Sequence, residues 1–453
     1  MPGGGTWTVQ NKVRPGAYIN FISVPKPVGT MGDRGVVAVG MPMTWGPTGE
    51  LIYLTGDELI SGGSLAKVGV TAFDTEESLP FRVVHSGCFK SILFRTDVGG
   101  KKATAVISEN VLNVSAKYTG TTGNRISVVT IKDKPYTGVY TLQVLIDELL
   151  NESFTISTIA ELSDIESDFV EFEVKNKDAT IPETAGTPLS GGENGQVSKD
   201  TYANFLKLLD TENFQCVAIL DDDSSVPPVL KEKIKIWREK RGKKVQAVVY
   251  DYPSADYEGI ISVDQGFKTT TETVDKTLFP IWVASQTAGA EVNQSLTAKV
   301  VEDAVEIIGF IPEDEIEDAL NAGKFILSYR QDGAVCVEKD INSLHEFTVD
   351  KNYAFSKNRV VRVLDQIGND VALIFNRNYA GKVDNNDAGR DMFKTELIAL
   401  FDTMQGINAI QNFEGADDIT VLPGQAVDSV VVDLLIWPVD SMEKLYMTVN
   451  VNA

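Results

Sequence analysis

The last residues of the chain carry its most restrictive pattern, a strict alternation of apolar and polar side chains. Four residues of each kind alternate through this stretch: Leu445, Met447, Val449 and Val451 against Tyr446, Thr448, Asn450 and Asn452. A period of two predicts a half-buried strand of roughly 25 Å, at ~3.3 Å per residue. Because the chain ends here and an unpaired apolar edge invites another strand, the sequence raises the question of what this strand pairs with.

A second strand of different character precedes the first. Every residue from Val430 to Trp437 except Asp433 is apolar, which is typical of a strand covered on both faces. Pro438 then ends that strand, because proline has no N–H to donate to a neighbouring strand.

The length and the charge of the chain limit the classes of protein to which it can belong. A chain of 453 residues is too long for one core and should form about three domains. It contains no apolar run near the ~20 residues of a membrane span and no basic, apolar leader at its N-terminus. Its 41 basic and 64 acidic residues give a net charge of −23, which argues against nucleic-acid binding and opposes self-association. If the protein assembles, its contacts must therefore be strong and local.

The three cysteines, Cys88, Cys216 and Cys336, are odd in number and widely spaced, which indicates buried free thiols in a reducing compartment.

The N-terminus predicts an extended arm over Thr6–Ile22. Pro15-Gly16 interrupts it, and prolines at 25 and 27 separate it from the next element. An ordinary first strand is the alternative interpretation. The residues that we assign to inter-subunit strand pairing in the two arms are Val9, Tyr18, Ile19, Phe21, Leu445, Tyr446, Met447, Val449 and Val451.

The pattern of turns and periods divides the chain into six segments. We expect an N-terminal arm at 1–22, an α/β segment at 23–100, a small all-β domain at 101–190, an α/β domain at 191–342, an α+β domain at 343–444 and a C-terminal arm at 445–453. The all-β prediction rests on four alternating runs: Val111–Lys117, Arg125–Ile131, Tyr140–Leu145 and Phe169–Val174. Strands at Gly35–Gly40, Ile92–Arg95, Cys216–Leu220 and Val245–Tyr250, with helices between them, predict a mostly parallel, covered sheet.

Four further segments carry individual predictions. Ile281–Ala284 and Val360–Leu364 are apolar runs that indicate buried strands. Val300, Val301, Ala304, Val305 and Ile308 would share one face of a helix that ends at Gly309. Gly389–Gln405 predicts an amphipathic helix whose polar face carries Arg390, Lys394 and Glu396.

The sequence offers little for catalysis. His85 and His345 are its two histidines, and neither has a Gly-x-Ser-x-Gly elbow nearby, which favours structural roles. Asp221-Asp-Asp-Ser-Ser225 follows a strand where α/β enzymes bind Mg²⁺, and its spacing is similar to the start of haloacid-dehalogenase-type phosphatases. A solvated loop that caps a helix is the interpretation we favour. The alternative is an α/β hydrolase or Mg²⁺-dependent phosphohydrolase that uses Asp221 and Asp223. We expect no cofactor, because no nucleotide-binding loop is recognisable.

Several stretches, in order, resemble the tail sheath proteins of contractile bacteriophages and phage-tail-like bacteriocins. They are Arg14–Ile19, Tyr118–Ile126, Ala284–Gly289 with Asn293–Thr297, Asp340–Leu344 with Arg359–Asp365, Ala409–Phe413 with Ile419–Val421 and Asp428–Asp433, and Trp437–Val449. The resemblance implies a multidomain α/β and α+β fold. Its parts would be a non-catalytic, subtilisin-like α/β domain, an inserted small β-sandwich, and an α+β C-terminal domain with extended arms at both termini.

The function implied by the resemblance is structural rather than enzymatic. Such a subunit forms rings and a helical tube around a tail tube, its arms add strands to the C-terminal sheets of neighbours, and contraction drives the tube through a cell envelope. The implied partners are other copies of the chain, the tail tube protein, and baseplate and tail terminator proteins, with no nucleic acid and no membrane insertion. The implied location is a virion tail or phage-tail-like particle, assembled in the bacterial host cytoplasm. The helix with Arg390, Lys394 and Glu396 would face the tube, although a solvated helix face explains these residues as well.

Overall fold

The computed structural model describes the backbone of Gly3–Gly5 and Gly16–Tyr18, then Gly32, and residues 34–74, 76–133 and 138–451. These residues form two compact units, which we call the central unit and the small unit. The central unit holds residues 34–369 and 439–451, and the small unit holds 370–438, Gly32 and the two N-terminal ranges. The N-terminal strands β1 (Gly3–Gly5) and β2 (Gly16–Tyr18) pair in parallel register.

The first part of the central unit contains both strands and helices. Its elements are β3 (Val36–Met41), β4 (Leu51–Thr55), α1 (Gly56–Ser61), α2 (Leu65–Val68), α3 (Leu79–His85), β5 (Lys90–Arg95) and β6 (Asp97–Val98). A capping box begins α1: the Thr55 hydroxyl accepts from the Glu58 N–H, and the Glu58 carboxylate accepts from the Thr55 N–H. Gly62 ends the helix in the left-handed region, at φ 90°, where a side chain is disfavoured.

Eight strands follow, and they include the four alternating runs that the sequence predicts. They are β7 (Lys102–Ser108), β8 (Leu112–Thr119), β9 (Ile126–Lys132), β10 (Tyr140–Ile146), β11 (Leu149–Ile156), β12 (Val170–Val174), β13 (Thr184–Pro188) and β14 (Gln196–Val197), with 3₁₀ turns at Thr121–Arg125 and Ile159–Asp164. One sheet has the order β11-β10-β9-β13 and another the order β12-β8-β7. Alternate residues of both sheets contribute to one core around Val114, Val128 and Leu142.

The chain then returns to strands joined by helices. The elements are α4 (Asp200–Leu208), a 3₁₀ turn (Leu209–Thr211), β15 (Cys216–Ile219), α5 (Val226–Lys235), a π turn (Ile236–Lys240), β16 (Gln246–Tyr250), a 3₁₀ turn (Pro253–Ala255), β17 (Ile260–Val263), β18 (Gly266–Thr269), β19 (Thr273–Val274), α6 (Phe279–Gly289), β20 (Ala304–Ile308), α7 (Glu313–Asn321), β21 (Leu327–Tyr329) and β22 (Val335–Val337).

A six-stranded sheet organises the central unit, in the order β17-β16-β15-β3-β5-β4. All its pairings are parallel except that of β4 with β5. Val37 and Val39 of β3 join a core that includes α6, whereas Ala38 joins a second core with Phe205 and Trp237. The sheet is therefore covered on both faces, as its continuous apolar strands predict.

The last elements are a 3₁₀ turn (Tyr353–Ser356), α8 (Asn358–Ile374), a π turn (Phe375–Tyr379), α9 (Asp387–Gly406), β23 (Ile410–Gln411), β24 (Ile419–Pro423), β25 (Val430–Leu434) and β26 (Trp437–Pro438). Helix α8 begins in the central unit and ends in the small unit. Helix α9 confirms the predicted amphipathic helix, with Phe393, Leu397, Leu400, Phe401 and Met404 on its buried side.

Four sequence-based predictions are wrong. Ile281–Ala284 lies in helix α6, whose residues from Phe279 to Ala288 are all buried, so no polar face revealed the helix. Val360–Leu364 lies in helix α8 rather than in a strand. The predicted helix over 300–308 contains strand β20, which pairs antiparallel with β18. The run Val430–Trp437 is not covered on both faces, because Val431 and Asp433 of β25 are exposed.

The three cysteines are buried and free, as predicted. Burial raises the pKa of the Cys88 and Cys216 thiols to about 12, so both stay protonated and unreactive at neutral pH. Among the helices that the structure describes, none combines the length and the apolarity needed to cross a bilayer.

Candidate functional site

The C-terminal segment leaves the body of the protein after Glu443. Described residues from Leu445 to Val451 belong to no strand and are exposed, with Leu445 and Tyr446 each more than four-fifths accessible. The predicted strand is thus not formed within this chain, over the part that the structure describes. Its apolar side chains lie in solvent, where they contribute nothing to the stability of the monomer.

Residues Asp440–Glu443, which we call the arm base, are held to the central unit. The Lys357 ammonium, with 1% of its side chain exposed, forms an ion pair with the Glu443 carboxylate and lies 3.8 Å from the Asp440 carboxylate. The Thr297 hydroxyl donates a hydrogen bond of 2.8 Å to Glu443. Burial opposes the ionisation of Glu443, but Lys357 and Thr297 hold its pKa below the ordinary value.

In the small unit, β24 and β25 form a hairpin with open edges. The register runs from Ile419 opposite Leu434 to Pro423 opposite Val430, and the described residues add no further strand to this two-stranded sheet. Helix α9 packs against β24, and Ile419 is fully buried. A two-stranded sheet is marginal by itself and presents unpaired N–H and C=O groups along both sides.

The N-terminal arm is described only in part. The structure gives the backbone of Tyr18 within β2, whereas Val9, Ile19 and Phe21 lie outside the described residues. Their assignment to an inter-subunit strand stays a prediction from the sequence.

The three polar residues predicted on the tube-facing helix all bind within the small unit. Arg390 forms an ion pair with Asp387 and donates 2.9 Å to the Asn385 side chain. The Lys394 ammonium donates a hydrogen bond of 2.9 Å to the Ala416 carbonyl, and the Glu396 carboxylate accepts one of 3.1 Å from the Asn378 amide. Burial and the hydrogen bond to Glu396 raise the pKa of Tyr379. These residues therefore tie α9 to its own unit.

A different set of residues forms the outward face of α9. Asp391, Met392, Thr395, Asp402 and Thr403 are exposed, and Met392 is 59% accessible. The hydroxyls of Thr395 and Thr403 donate back to helix carbonyls four residues earlier, at 2.8 Å each. This face is acidic and neutral, and it does not include Arg390, Lys394 and Glu396, which the sequence analysis placed on the polar face.

The carboxylates of the loop Asp221–Ser225 form contacts with other groups of the same chain. The Asp221 carboxylate accepts hydrogen bonds of 2.6 Å from the Tyr202 hydroxyl and 2.9 Å from the Asp223 N–H. Asp223 lies 2.5 Å from the Lys199 ammonium and accepts 2.8 Å from the Ser225 N–H. The Lys199 and Ser225 contacts hold the pKa of Asp223 far below its usual range. Among the described residues, no cluster of three or more potential metal ligands exists here or elsewhere.

Neither histidine sits in a catalytic arrangement. His85 Nε2 lies 3.1 Å from the Ser91 hydroxyl, but Ser91 is fully buried and cannot reach a substrate. Burial lowers the pKa of His85 to about 4. His345 Nδ1 lies 2.9 Å from the Ser343 carbonyl and 3.5 Å from the Asp256 carboxylate, which also accepts a hydrogen bond from the His345 backbone N–H.

Comparisons with known proteins agree with this picture. The family model "Phage tail sheath protein central domain" matches residues 195–343, and "Phage tail sheath C-terminal domain" matches residues 350–452. Together they cover more than half of the chain. The chain belongs to the phage tail sheath protein family. The phage-like element PBSX protein XkdK of Bacillus subtilis is 32% identical over 476 residues, spanning 99% of this chain and 100% of that protein.

Solved structures give the same family. A sheath tail protein from Desulfitobacterium hafniense is 34% identical, with a TM-score of 0.80, and the match covers 95% of this chain and 99% of that one. The helical sheath of the anti-feeding prophage, solved in its contracted state, is 10% identical, with a TM-score of 0.55 over 98% of this chain and 99% of that one. That second likeness shows the fold alone.

Family membership decides between the functions that the sequence left open. Tail sheath proteins are structural, so the protein is not an enzyme, and the hydrolase based on Asp221 and Asp223 is set aside. The fold is the mixed α/β multidomain fold of solved tail sheath structures. As a tail sheath protein, the chain is part of a phage-tail-like particle.

Sequence reasoning missed the residues that hold the arm base. Lys357 and Thr297 are far from Glu443 in the chain, and a lone lysine or threonine carries no pattern. The one available signal was the acidic pair Asp440 and Glu443 beside an alternating strand. Two acids near an exposed end are ordinarily solvated, so this signal does not by itself indicate a buried partner.

Proposed function

We propose that this protein is the subunit of a contractile sheath that polymerises helically around a tail tube and contracts to drive the tube through a target cell envelope. Its parts would be a non-catalytic subtilisin-like domain, a β-sandwich insertion in residues 101–190 and a C-terminal domain with two arms. Its partners would be other copies of the chain, the tail tube protein, and baseplate and tail terminator proteins. We place its assembly in the bacterial host cytoplasm.

The observation that carries this proposal is that the described chain contains both a strand-like segment without a partner and a hairpin with open edges. Leu445–Val451 has the alternation of a strand but is exposed and unpaired in the described chain. The β24–β25 hairpin offers two open edges. Strand addition from another subunit would satisfy backbone groups on both sides and bury the apolar side chains of the arm.

The side-chain patterns of the arm and hairpin are compatible. In β25, Val430, Val432 and Leu434 are half-buried and alternate with the exposed Val431 and Asp433. An added strand with Leu445, Met447, Val449 and Val451 on one face would extend the apolar side of that sheet. A shift of one residue would turn this face to solvent, so the alternation fixes the register.

Helical assembly and contraction follow from the geometry of strand exchange. If each subunit gives its arm to one neighbour and receives an arm from another, the contacts run head to tail and generate a ring or a helix. Contraction would be a change between two packings of rigid bodies that stay joined by paired strands. The fold shared with the anti-feeding prophage sheath, solved in its contracted state, supports this part of the proposal.

We also propose that α9 faces the tail tube, with a revised contact surface. Because Arg390, Lys394 and Glu396 bind within the small unit, the residues free to contact a tube are those of the outward face, among them Asp391, Met392, Thr395 and Asp402.

Electron microscopy tests the proposal directly. Negative-stain images of the purified chain at high concentration and in salt, which screens its charge of −23, should contain ring stacks or hollow tubes. The chain truncated after Lys444 should remain folded, because Leu445–Val451 are exposed, and should form no polymers. The matched control is the exposed-loop variant Val349→Asn, which should assemble as the unaltered chain does. Polymers of the truncated chain would overturn the strand-exchange proposal.

A further inference from the structure

Glu443 is the last described residue of the C-terminal segment whose side chain is held by the rest of the central unit. Glu443 is 13% exposed and bound to Lys357 and Thr297, whereas Leu445 is 85% exposed. The neighbouring Met442 is fully exposed, so it is the side chain of Glu443 that fixes the segment, two residues before the alternating strand begins.

The arm base docks onto a surface of opposite charge. Lys357 forms the ion pair with Glu443 and lies near Asp440. The positive charge of Lys339 also stabilises the Glu443 carboxylate, and the negative charge of Asp440 stabilises the charged form of Arg359 at the start of α8. Lys357 is almost completely buried, so departure of the arm base would leave its ammonium without a carboxylate, which is strongly unfavourable in a protein interior.

We propose that the ion pair between Lys357 and Glu443 positions the C-terminal arm for assembly, by fixing the point at which the free strand leaves the central unit. This inference rests on the proposed strand exchange. A strand with a fixed origin searches less space than a tail attached farther back, so a neighbour captures it at lower entropic cost. After capture, the same ion pair joins the neighbour's sheet to the rigid central unit of the donor.

Two variants remove the ion pair that holds the arm base, one by changing Lys357 and the other by changing Glu443. Lys357→Met keeps an apolar stem in the buried site and removes the charge that Glu443 requires. Glu443→Gln changes only the arm base and leaves Lys357 and Thr297 unaltered. The control is Lys268→Met, which breaks the ion pair of 2.8 Å with Glu306 on the surface of the same unit. Surface pairs of this kind contribute little.

Limited trypsin digestion measures docking without any need for polymers. Cleavage after Lys444 releases the peptide Leu445–Ala453, which mass spectrometry quantifies, and a docked arm base slows this cleavage because proteases need an extended substrate. The rate of release tracks the opened population, so both variants should release the peptide at least about tenfold faster than the unaltered chain. Lys268→Met should not change the rate. The variants should also need a higher protein concentration to form polymers.

Each outcome decides the inference. Faster release with an unchanged melting temperature, together with impaired polymerisation, supports it. Unchanged release, or unimpaired polymerisation of the folded variants, overturns it. If Lys357→Met does not fold, Glu443→Gln decides by the same two measurements. Polymers of the chain truncated after Lys444 would overturn strand exchange while the release assay still reports on the ion pair, so the two failures are distinguishable.

Discussion

The Arg238 guanidinium makes two parallel hydrogen bonds to the Asp365 carboxylate, of 2.6 and 2.7 Å, and 7% and 10% of the two side chains are exposed. Arg238 lies in the π turn after α5 and Asp365 in α8, so this pair joins these two helical segments within the central unit. Burial disfavours the charge on Arg238, but Asp365 keeps the pKa of Arg238 above its ordinary value.

Loss of this carboxylate should strongly destabilise the central unit. Asp365→Ala removes both parallel hydrogen bonds and leaves the buried Arg238 guanidinium with the Glu258 carboxylate, 4.0 Å away, as its remaining counter-ion, so we expect the free energy of unfolding to fall by about 3 kcal/mol. Tryptophan fluorescence during thermal unfolding measures the effect, because Trp45, Trp237 and Trp282 are buried in this unit. The control is Glu306→Ala in the exposed pair with Lys268, which should cost less than about 1 kcal/mol. Similar losses in both variants would contradict the special role of the buried pair.

The same helix shows why part of the fold could not be predicted. Val360, Val361 and Val363 form an apolar run that indicates a strand, yet Arg362, Asp365 and Gln366 of the same helix are buried as well. Asp365 pairs with Arg238, and Arg362 lies 3.5 Å from the Asp340 carboxylate, so their charges face partners that are not their neighbours in the sequence. Buried polar residues erase the amphipathic pattern on which helix prediction depends.

Patterns with a solvent-facing side were easier to interpret. The alternating β-domain strands and the amphipathic α9 follow the predicted bounds within a few residues, because one face of each element is buried and the other is polar. The candidate arm carries the same alternation, although its strand is not formed in the part of the chain that the structure describes. Its anchor was not recognisable in the sequence, since Lys357 and Thr297 meet Glu443 only in the folded chain.

The close contact between Gly87 and Gly289 should tolerate no side chain. A Cβ atom on Gly289, the last residue of α6, would lie 1.7 Å from the Gly87 carbonyl oxygen, a backbone atom that cannot rotate away. We expect Gly289→Ala to lower the free energy of unfolding by about 3 kcal/mol or more, measured by denaturant titration. Gly406→Ala is the control, because no heavy atom lies within 4 Å of its Cβ position, and it should be neutral or stabilising by about 0.5–1 kcal/mol.

His85 should make the protein less stable as the pH falls through the mildly acidic range. Its pKa is about 4 in the folded chain because of burial, against about 6.5 when unfolded. Below pH 6.5 the unfolded chain binds a proton that the folded chain excludes, so stability decreases towards pH 4 by about 1.4 kcal/mol per pH unit. Between pH 7.5 and pH 5, the unaltered chain should lose about 2 kcal/mol more than His85→Gln does. Parallel pH profiles of the two chains would contradict this assignment, since carboxylate contributions cancel in the difference.

Substitutions on the outward face of α9 and substitutions of its polar residues that bind within the small unit should have different effects on tube binding. Thr395→Arg places a bulky charge on the exposed face and should change the free energy of unfolding by less than about 0.5 kcal/mol. If this face contacts the tube, the variant should still form tube-free polymers but co-sediment with the purified tail tube at least about tenfold less well. Lys394→Ala removes a hydrogen bond to the Ala416 carbonyl and should reduce the stability of the small unit by about 1 kcal/mol, while tube binding stays the same. The reverse result, with tube binding lost in Lys394→Ala and kept in Thr395→Arg, would return the contact to the polar residues that the sequence indicated.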